Sequence, residues 1–308
     1  MIVRDILNES IKALEAADIP SARLDAEVLL SFCLRDDHLE FYKNPDKTIT
    51  EIKLSEFRKL LARRLQWEPV AYITGCKEFW SFTLAVNSSV LIPRPDTEIL
   101  VEEAVDIMKT LESTSDLDSR LRNLKVICDG NDRTQRPVRI LDIGTGSGAI
   151  ALALASEIDG SEVIATDISA AALALAQKNA VALGLKERID FRQGNLFEPV
   201  DGFFDIIVSN PPYIAANDYE ELPASVKNFE PREALLAGVS GLEFYEKLIY
   251  SAAAYLKKNG WLLLEIGAKQ ETGIRSILKA SGFYASIKMR RDYAGLPRVI
   301  KARRKISG

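Results

Sequence analysis

From Arg139 to the C-terminus, short apolar runs alternate with helical periods, and this alternation most limits the folds open to the chain. Successive strand–helix–strand units form right-handed crossovers, which produce a mainly parallel sheet covered by helices on both faces. Helical patterns separate the first five runs. We therefore predict an α/β fold with a doubly wound, Rossmann-like sheet of seven strands. The candidate strands are Arg139–Ile143, Glu162–Thr166, Ile189–Arg192, Asp205–Ser209, Trp261–Ile266, Ala285–Lys288 and Arg298–Ala302.

The N-terminal region has a different pattern, because its apolar residues recur at helical spacing. The stretches from Val3 to Leu14 and from Leu54 to Leu65 are examples. Ser21 and Thr50 are predicted to begin helices through their side-chain oxygens, which can accept backbone N–H bonds. This region therefore predicts a small N-terminal helical bundle.

A β-hairpin is predicted between the helical region and the sheet. Its strands would be the apolar runs Phe79–Val86 and Val90–Ile92, with Asn87–Ser89 as the turn. The segment Pro93-Arg94-Pro95 ends the second run, since proline cannot continue a strand ladder.

The length of 308 residues exceeds the usual size of one domain, so we expect two domains. The first would be a helical domain at residues 1–75, followed by a hairpin linker at 76–96 and an α/β domain at 97–308. A helix is predicted from Thr97 to Met108. The polar stretch Glu112–Pro137 predicts an exposed loop.

Composition and charge narrow the functional classes. The formal net charge is -4, whereas a surface that binds nucleic-acid phosphates is usually basic. The single histidine, His38, is too little for a histidine-centred metal site or a Ser-His-Asp triad. The cysteines, Cys33, Cys76 and Cys128, have neither disulfide nor zinc spacing, and no signal sequence or membrane-length apolar stretch is found. We expect a cytoplasmic monomer without a metal, a membrane contact or a direct nucleic-acid partner.

The first predicted strand of the sheet runs into the glycine-rich turn Gly144-Thr145-Gly146-Ser147-Gly148, and a predicted helix at Ala149–Glu157 follows. Glycines are required where the backbone turns tightly or a ligand approaches closely, because a Cβ atom would block both. The second strand ends at Asp167, whose carboxylate can accept hydrogen bonds from two ribose hydroxyls. These features predict a site for an adenosine-containing ligand.

The glycine turn alone leaves two classes of ligand open. The spacing Gly144-x-Gly146-x-x-Ala149 with a downstream acid also fits the dinucleotide of an oxidoreductase. Two details favour the sulfonium cofactor S-adenosylmethionine: Asp142 supplies a negative charge near a cationic ligand, and a third glycine follows at Gly148. The helix N-terminus that would hold a pyrophosphate can also hold an aminoacyl carboxylate.

The fourth predicted strand ends in Asn210-Pro211-Pro212-Tyr213, at the sheet edge where the glycine turn is also expected. An amide or aromatic NH2 group is a poor nucleophile, because its lone pair is delocalised into the adjacent π-system. The side-chain carbonyl of Asn210 and the backbone carbonyl of Pro211 provide acceptors for both N–H donors, so that the lone pair points at the methyl carbon.

These acceptors also stabilise the positive charge that develops on the nitrogen during attack, and Tyr213 can stack on the planar group. The tetrapeptide therefore predicts methyl transfer to a planar nitrogen, with Asn210, Pro211 and Tyr213 as the catalytic residues.

At this point the chain resembles the release factor glutamine methyltransferases, which methylate the glutamine amide of the Gly-Gly-Gln motif in peptide-chain release factors. The resemblance covers nearly the whole chain. Beyond the glycine turn and the tetrapeptide, it rests on Ile19–Glu27, Pro69–Gly75, Glu78–Trp80, Leu91–Glu98, Phe229–Arg232 and Leu264–Gly267. It implies a class I methyltransferase domain, S-adenosylmethionine as cofactor, release factors as partners and substrate recognition by residues 1–75.

The resemblance also assigns site residues by position. The implied cofactor contacts are Gly144, Thr145, Gly146, Ser147, Gly148, Asp167, Leu196 and Asn210. The implied substrate contacts are Asn210, Pro211, Pro212 and Tyr213, with Arg94, Pro95 and Thr97 as the pocket wall on the hairpin side.

Two features depart from the family pattern. Asn195 replaces a frequent acid, and its amide oxygen would accept a bond from the adenine amino group without charge assistance, so cofactor affinity could be lower. The stretch Glu112–Pro137 is longer than such a linker needs.

The resulting prediction is direct SN2 methyl transfer from S-adenosylmethionine to N5 of the release-factor glutamine. One alternative keeps the mechanism and changes the acceptor to an exocyclic amino group of a nucleic-acid base, which usually requires base flipping and a basic groove. A dinucleotide-dependent oxidoreductase would use the glycine turn but has no use for Asn210–Tyr213. A non-catalytic module that recruits a partner is a third possibility.

Overall fold

The computed structural model describes residues 1–36, 39–123 and 137–306. His38, Cys128 and positions 124–136 of the predicted loop lie outside the described residues. The chain divides into two compact units. The first comprises Met1–Cys76, Val86–Ser88 and Leu222–Glu230, and the second comprises Lys77–Ala85, Ser89–Glu221 and Pro231–Gly308. The predicted boundaries at 75 and 97 stay a prediction.

The first unit confirms the helical pattern of the N-terminal region. Its helices in this region are α1 (Val3–Ala16), α2 (Ala22–Leu34), α3 (Leu39–Lys43), α4 (Glu51–Leu65) and α5 (Val70–Thr74). Thr50 caps α4 as predicted, because its side-chain oxygen accepts a 3.4 Å bond from the Lys53 N–H. Ser21 precedes α2 but does not cap it; its hydroxyl donates to Asp25 at 2.9 Å instead.

A hairpin follows the N-terminal helices, but the prediction of its strands and of its turn at Asn87–Ser89 was wrong. The observed strands are β1 (Cys76–Phe79) and β2 (Phe82–Ala85), and the chain turns at Trp80, which has φ 56°. Val90–Ile92 forms no strand. Val90 and Ile92 are nevertheless buried, so this apolar run reflects burial rather than strand pairing.

The helix predicted at Thr97–Met108 is longer than expected. A short 3-10 turn at Pro95–Thr97 leads into α6 (Glu98–Asn123), which includes the first part of the predicted loop. The residues from Glu98 to Asn123 contain no glycine or proline, so nothing in the sequence interrupts the helix before its observed end.

The second unit contains a seven-stranded sheet, and all seven candidate strands are confirmed. In chain order its strands are β3 (Arg139–Ile143), β4 (Glu162–Asp167), β5 (Ile189–Gln193), β6 (Phe204–Ser209), β9 (Leu256–Glu265), β10 (Tyr284–Arg291) and β11 (Pro297–Arg304). A two-stranded parallel pair, β7 (Ile214–Ala215) and β8 (Leu236–Gly238), lies between β6 and β9 in sequence.

The remaining helices are α7 (Ala149–Glu157), α8 (Ala170–Ala182), α9 (Ala216–Glu220), α10 (Ala224–Lys227), α11 (Glu243–Tyr255) and α12 (Glu271–Ser281). Two further 3-10 turns cover Lys186–Arg188 and Arg232–Ala234.

The strand order in the sheet is β10-β11-β9-β6-β3-β4-β5. The five strands from β9 to β5 are parallel, whereas β10 and β11 are antiparallel to their neighbours. The chain passes from β3 outward to β4 and β5 and then returns to β6 on the other side of β3. This reversal of strand order opens a crevice at the carboxyl ends of β3 and its neighbours.

The central strands of the sheet are buried on both faces, because their neighbouring residues belong to different cores. Ile140 and Val208 lie in a core that includes residues of α6 and α7, whereas Leu141 and Ile207 lie in a second core with residues of α11 and α12. Such double-sided burial explains why the central strands read as continuous apolar runs.

Candidate active site

A cavity of about 570 Å³ opens at the carboxyl edge of the sheet, in the size range of small-molecule sites. It brings together most of the predicted site residues. Those that line it are Arg94, Thr97, Gly144, Thr145, Gly146, Ser147, Asp167, Leu196, Asn210, Pro211 and Pro212. Pro95, Gly148 and Tyr213 do not line it. The ligand contacts expected of all these residues stay predictions.

The glycine turn is held by backbone bonds between β3 and β4. The N–H groups of Gly144 and Thr145 both donate to the Thr166 carbonyl at 2.9 Å. Gly148 has φ 84°, and a Cβ atom there would lie 3.1 Å from the Cβ of Ala176. Gly148 therefore permits the close approach of α7 and α8 beside the cavity.

Asp167 is half-buried at the end of β4, and both of its carboxylate oxygens carry a bond from the chain. Oδ2 accepts from the Gly146 N–H and Oδ1 from the Ser169 N–H, each at 2.9 Å. A carboxylate offers about four lone-pair sites, so acceptor positions remain on both oxygens. The carboxylate is thus fixed in place and still able to bind ribose hydroxyls.

Asp142 lies beneath the glycine turn rather than in the cavity wall. It is fully buried, and its Oδ2 accepts a 2.6 Å bond from the Thr145 hydroxyl. Burial raises the pKa of Asp142 to about 7, although hydrogen bonds from the Thr145 side chain and the Ala151 backbone lower it in part. Because the Asp142 carboxyl is enclosed, it does not touch the cavity. Its negative charge would therefore act on a cationic ligand only from behind the glycine turn.

The tetrapeptide follows β6 directly and is fixed at both ends. Asn210 is half-buried, and its Nδ2 donates to the Thr97 hydroxyl at 3.2 Å. The Tyr213 carbonyl accepts a 2.8 Å bond from Gln270 Nε2, whose Oε1 accepts from the Gly267 N–H at 3.0 Å. The Tyr213 ring packs against the second core.

A buried carboxyl group lies behind Asn210. Glu265 ends β9 with 1% of its surface exposed, and its carboxyl accepts a hydrogen bond from the Thr97 side chain. Burial raises the pKa of Glu265 to about 7, against the effects of Thr97 and the positive Arg298. Burial and the negative Glu265 also raise the pKa of Tyr213. Buried groups with raised pKa values are typical of functional sites.

The sequence patterns assigned no role to three residues that position this edge, namely Asn179, Glu265 and Gln270. Buried Asn179 donates to the carbonyls of Ser147 and Ala85 at 2.9 and 3.1 Å and accepts from the Ala85 N–H at 2.8 Å. It thereby joins β2 to the glycine turn. A polar residue within the apolar face of a helix was the available signal for Asn179, whereas nothing local marks Gln270.

Two kinds of feature are absent from the described residues. Within 1–36, 39–123 and 137–306, no group of three His, Cys, Asp or Glu side chains could hold a metal ion. In the same part of the chain, every helix is too short or too polar to cross a membrane.

Two family models match the chain. The one described as "PrmC N-terminal domain" covers residues 5–75, and the one described as "Methyltransferase small domain" covers residues 127–226.

Two curated proteins are similar over nearly the whole chain. The release factor glutamine methyltransferase of Geobacter sulfurreducens is 37% identical over 98% of this chain and 96% of its own length. A bifunctional methyltransferase of Rickettsia conorii is 38% identical over 97% of this chain, which spans 57% of that longer protein.

Among solved structures, the catalytic domain of hMettl16 in complex with an RNA hairpin matches 84% of this chain and 83% of its own. The TM-score is 0.53 at 16% identity, so the likeness concerns the fold alone.

Proposed function

The chain belongs to the release factor glutamine methyltransferase family, and we propose that it methylates N5 of the glutamine in the Gly-Gly-Gln motif of peptide-chain release factors. S-adenosylmethionine, the methyl donor, supplies an electrophilic methyl group on a sulfonium when bound. The residues that would hold it are the glycine turn from Gly144 to Ser147, Asp167 and Leu196, all in the cavity wall.

The observation that carries the proposal is the orientation of Asn210. Because its Nδ2 donates to Thr97, its carbonyl oxygen is the group left for a ligand in the cavity. Asn210 Oδ1 and the Pro211 carbonyl can then accept the two N–H bonds of a primary amide and direct its lone pair at the methyl carbon. The same oxygens stabilise the charge that develops on that nitrogen.

The choice of a protein glutamine as the methyl acceptor is supported by family membership rather than by the shape of the cavity. An amide and an exocyclic base amino group present the same planar NH2, so the alternative acceptor, a nucleic-acid base, would use the same oxygens. The family relatives favour glutamine, and the net charge of -4 also favours a protein partner over nucleic-acid phosphates.

We also propose that the protein acts as a monomer in the cytoplasm and makes no direct contact with nucleic acid. The described cysteines, Cys33 and Cys76, are free thiols, which suits a reducing compartment. Substrate recognition by residues 1–75 belongs to the same proposal and is supported by the family model that matches residues 5–75.

The test is methylation of purified release factor with labelled S-adenosylmethionine, followed by mass spectrometry of the peptide that contains the Gly-Gly-Gln motif. We expect one added methyl group on the glutamine side chain. A release factor with glutamine replaced by alanine is the matched control. Label found only in added DNA or RNA would overturn the proposal.

A further inference from the structure

Three polar groups from distant parts of the sequence meet at the wall of the cavity. Thr97 ends the 3-10 turn before α6, Asn210 follows β6 and Glu265 ends β9. The strands β6 and β9 are neighbours, with Ser209 opposite Leu264, so Asn210 and Glu265 occupy adjacent positions just beyond this pair. Thr97 bonds to both side chains and connects them.

The direction of these two bonds follows from counting protons. A threonine hydroxyl has one proton and two lone pairs, whereas the ionised form of Glu265, which predominates above its pKa of about 7, can only accept. Once Glu265 accepts the Thr97 proton, Thr97 can only accept from Asn210. The Asn210 NH2 must therefore face Thr97, which leaves its carbonyl oxygen for the cavity.

We propose that Glu265 is a positioning residue for methyl transfer, acting through the Thr97 hydroxyl to fix which end of the Asn210 amide faces the acceptor nitrogen. This inference rests on the proposed role of Asn210 as an acceptor of the substrate N–H bond. Without the carboxylate, the two ends of the Asn210 amide would be closer in energy. The NH2 group would then face the substrate in part of the population and repel its N–H bonds.

The surroundings of Glu265 support a role beyond packing. The group is 1% exposed, and its Oε2 has no hydrogen-bond partner among residues 1–36, 39–123 and 137–306. Arg298 and Arg94 act on it with positive charge and Asp96 with negative charge. Arg298 is itself paired with Asp96 at 3.0 Å and Asp292 at 3.1 Å. A buried carboxyl with an unsatisfied oxygen costs stability, and orientation of Asn210 is a reason for retaining it.

The first test removes the hydroxyl without changing its shape. Thr97→Val should lower kcat on release factor about 10- to 100-fold, because Asn210 and Glu265 each lose their hydrogen bond to Thr97. Thr97→Ser, which restores the hydroxyl, should recover most of this loss. The matched control is Thr83→Val, an exposed threonine of β2. Dissociation constants for S-adenosylhomocysteine, measured by calorimetry, should change less than threefold in all three variants.

The second test exchanges the hydrogen-bond donor and acceptor on the two sides of Thr97. Asn210→Asp should be nearly inactive, because two carboxylates then compete for the single Thr97 proton. Adding Glu265→Gln supplies an NH2 that donates to Thr97, so Thr97 can donate to the new aspartate, whose other oxygen still faces the cavity. We expect the double variant to be at least about 10-fold more active than Asn210→Asp alone, which corresponds to roughly 1.4 kcal/mol.

Thermal unfolding of each variant separates loss of fold from loss of orientation. If Thr97→Val retains wild-type kcat, or if the double variant is no better than Asn210→Asp alone, the positioning role is overturned. If wild-type protein methylates no release factor, the proposed function fails instead, and that result precedes any comparison of variants.

Discussion

At the residue scale, the site depends on what each side chain can donate or accept. Asn210 has both a donor and an acceptor, and the structure uses the donor internally, on Thr97. The Pro211 carbonyl belongs to the backbone and cannot be removed by mutation, so Asn210 is the residue through which the acceptor pair can be tested.

Replacing Asn210 with alanine removes one of the two carbonyl acceptors. We expect Asn210→Ala to lower kcat about 100- to 1000-fold, as for removal of one donor or acceptor that stabilises developing charge. Steady-state methylation of release factor would measure this. Asn217→Ala, at an exposed asparagine of α9, serves as the control. Near-wild-type turnover in Asn210→Ala would contradict the mechanism.

Tyr213 has an aromatic ring and a hydroxyl, and their contributions to stability and activity can be separated. Its ring packs against the second core, and burial raises the pKa of its hydroxyl above the ordinary value. Tyr213→Phe keeps the ring and should retain stability and most activity. Tyr213→Ala should lose activity and also stability, by about 3 kcal/mol for a large-to-small change. Urea unfolding alongside kinetics distinguishes the two effects; equal losses in both variants would contradict this account.

At the scale of single elements, turns and helix pairs set the shape of the site. The turn between β3 and α7 needs Gly148 for two reasons, its φ of 84° and the mere 3.1 Å that would separate an added Cβ atom from the Cβ of Ala176. Bundle helices α2 and α4 are joined by the buried ion pair of Asp25 and Arg64, at 2.7 Å.

The two requirements at Gly148 can be separated with a second glycine. Gly184 has a similar φ of 70° but open space around its Cβ position. Gly184→Ala should cost about 1 kcal/mol of unfolding free energy from backbone strain alone. Gly148→Ala should cost about 1–3 kcal/mol more, through overpacking against Ala176. If both variants lose a similar amount of unfolding free energy, the close packing of α7 against α8 adds no cost of its own.

The Asp25–Arg64 pair should behave as a buried pair. Arg64→Met leaves Asp25 with the Ser21 hydroxyl but without an opposite charge, so we expect destabilisation of about 3–5 kcal/mol in α2 and α4. Amide hydrogen exchange of these helices measures it. The exposed Arg4–Asp46 pair provides the control, and Arg4→Met should cost less than about 1 kcal/mol. Unchanged exchange in Arg64→Met would refute the expectation.

At the scale of the whole molecule, two buried carboxyls link stability to pH. The pKa values of Asp142 and Glu265 are raised to about 7, because burial disfavours their charged forms. A raised pKa means that the native state holds the proton more tightly than the unfolded chain. The resulting stability is full below pH 4 and is lost as pH rises through 7.

We therefore expect the free energy of unfolding to fall between pH 5 and pH 8, by about 2 kcal/mol for each carboxyl. Carboxyls with lowered pKa, such as Asp201 and Asp292, lose their contribution only in stronger acid. Asp142→Asn should remove part of this fall. Urea unfolding across the pH range measures it, and a slope unchanged by Asp142→Asn would mean that Asp142 titrates normally.

The sequence determined the sheet, the glycine turn and the tetrapeptide, because each depends on local pattern or on residues adjacent in the chain. Apolar runs mark buried strands whatever their partners, and Gly144–Gly148 and Asn210–Tyr213 follow such strands directly. The strands of the hairpin were not determined locally, since burial of Val90 and Ile92 imitates a strand.

Only the tertiary structure decided which way Asn210 faces and what holds it. Thr97, Asn210 and Glu265 lie far apart in sequence, and the adjacency of β6 and β9 at one edge brings them together. The placement of Gln270 on the Tyr213 carbonyl has the same origin. A hydrogen bond depends on distance and direction in space, and neither can be deduced from the spacing of residues along a chain.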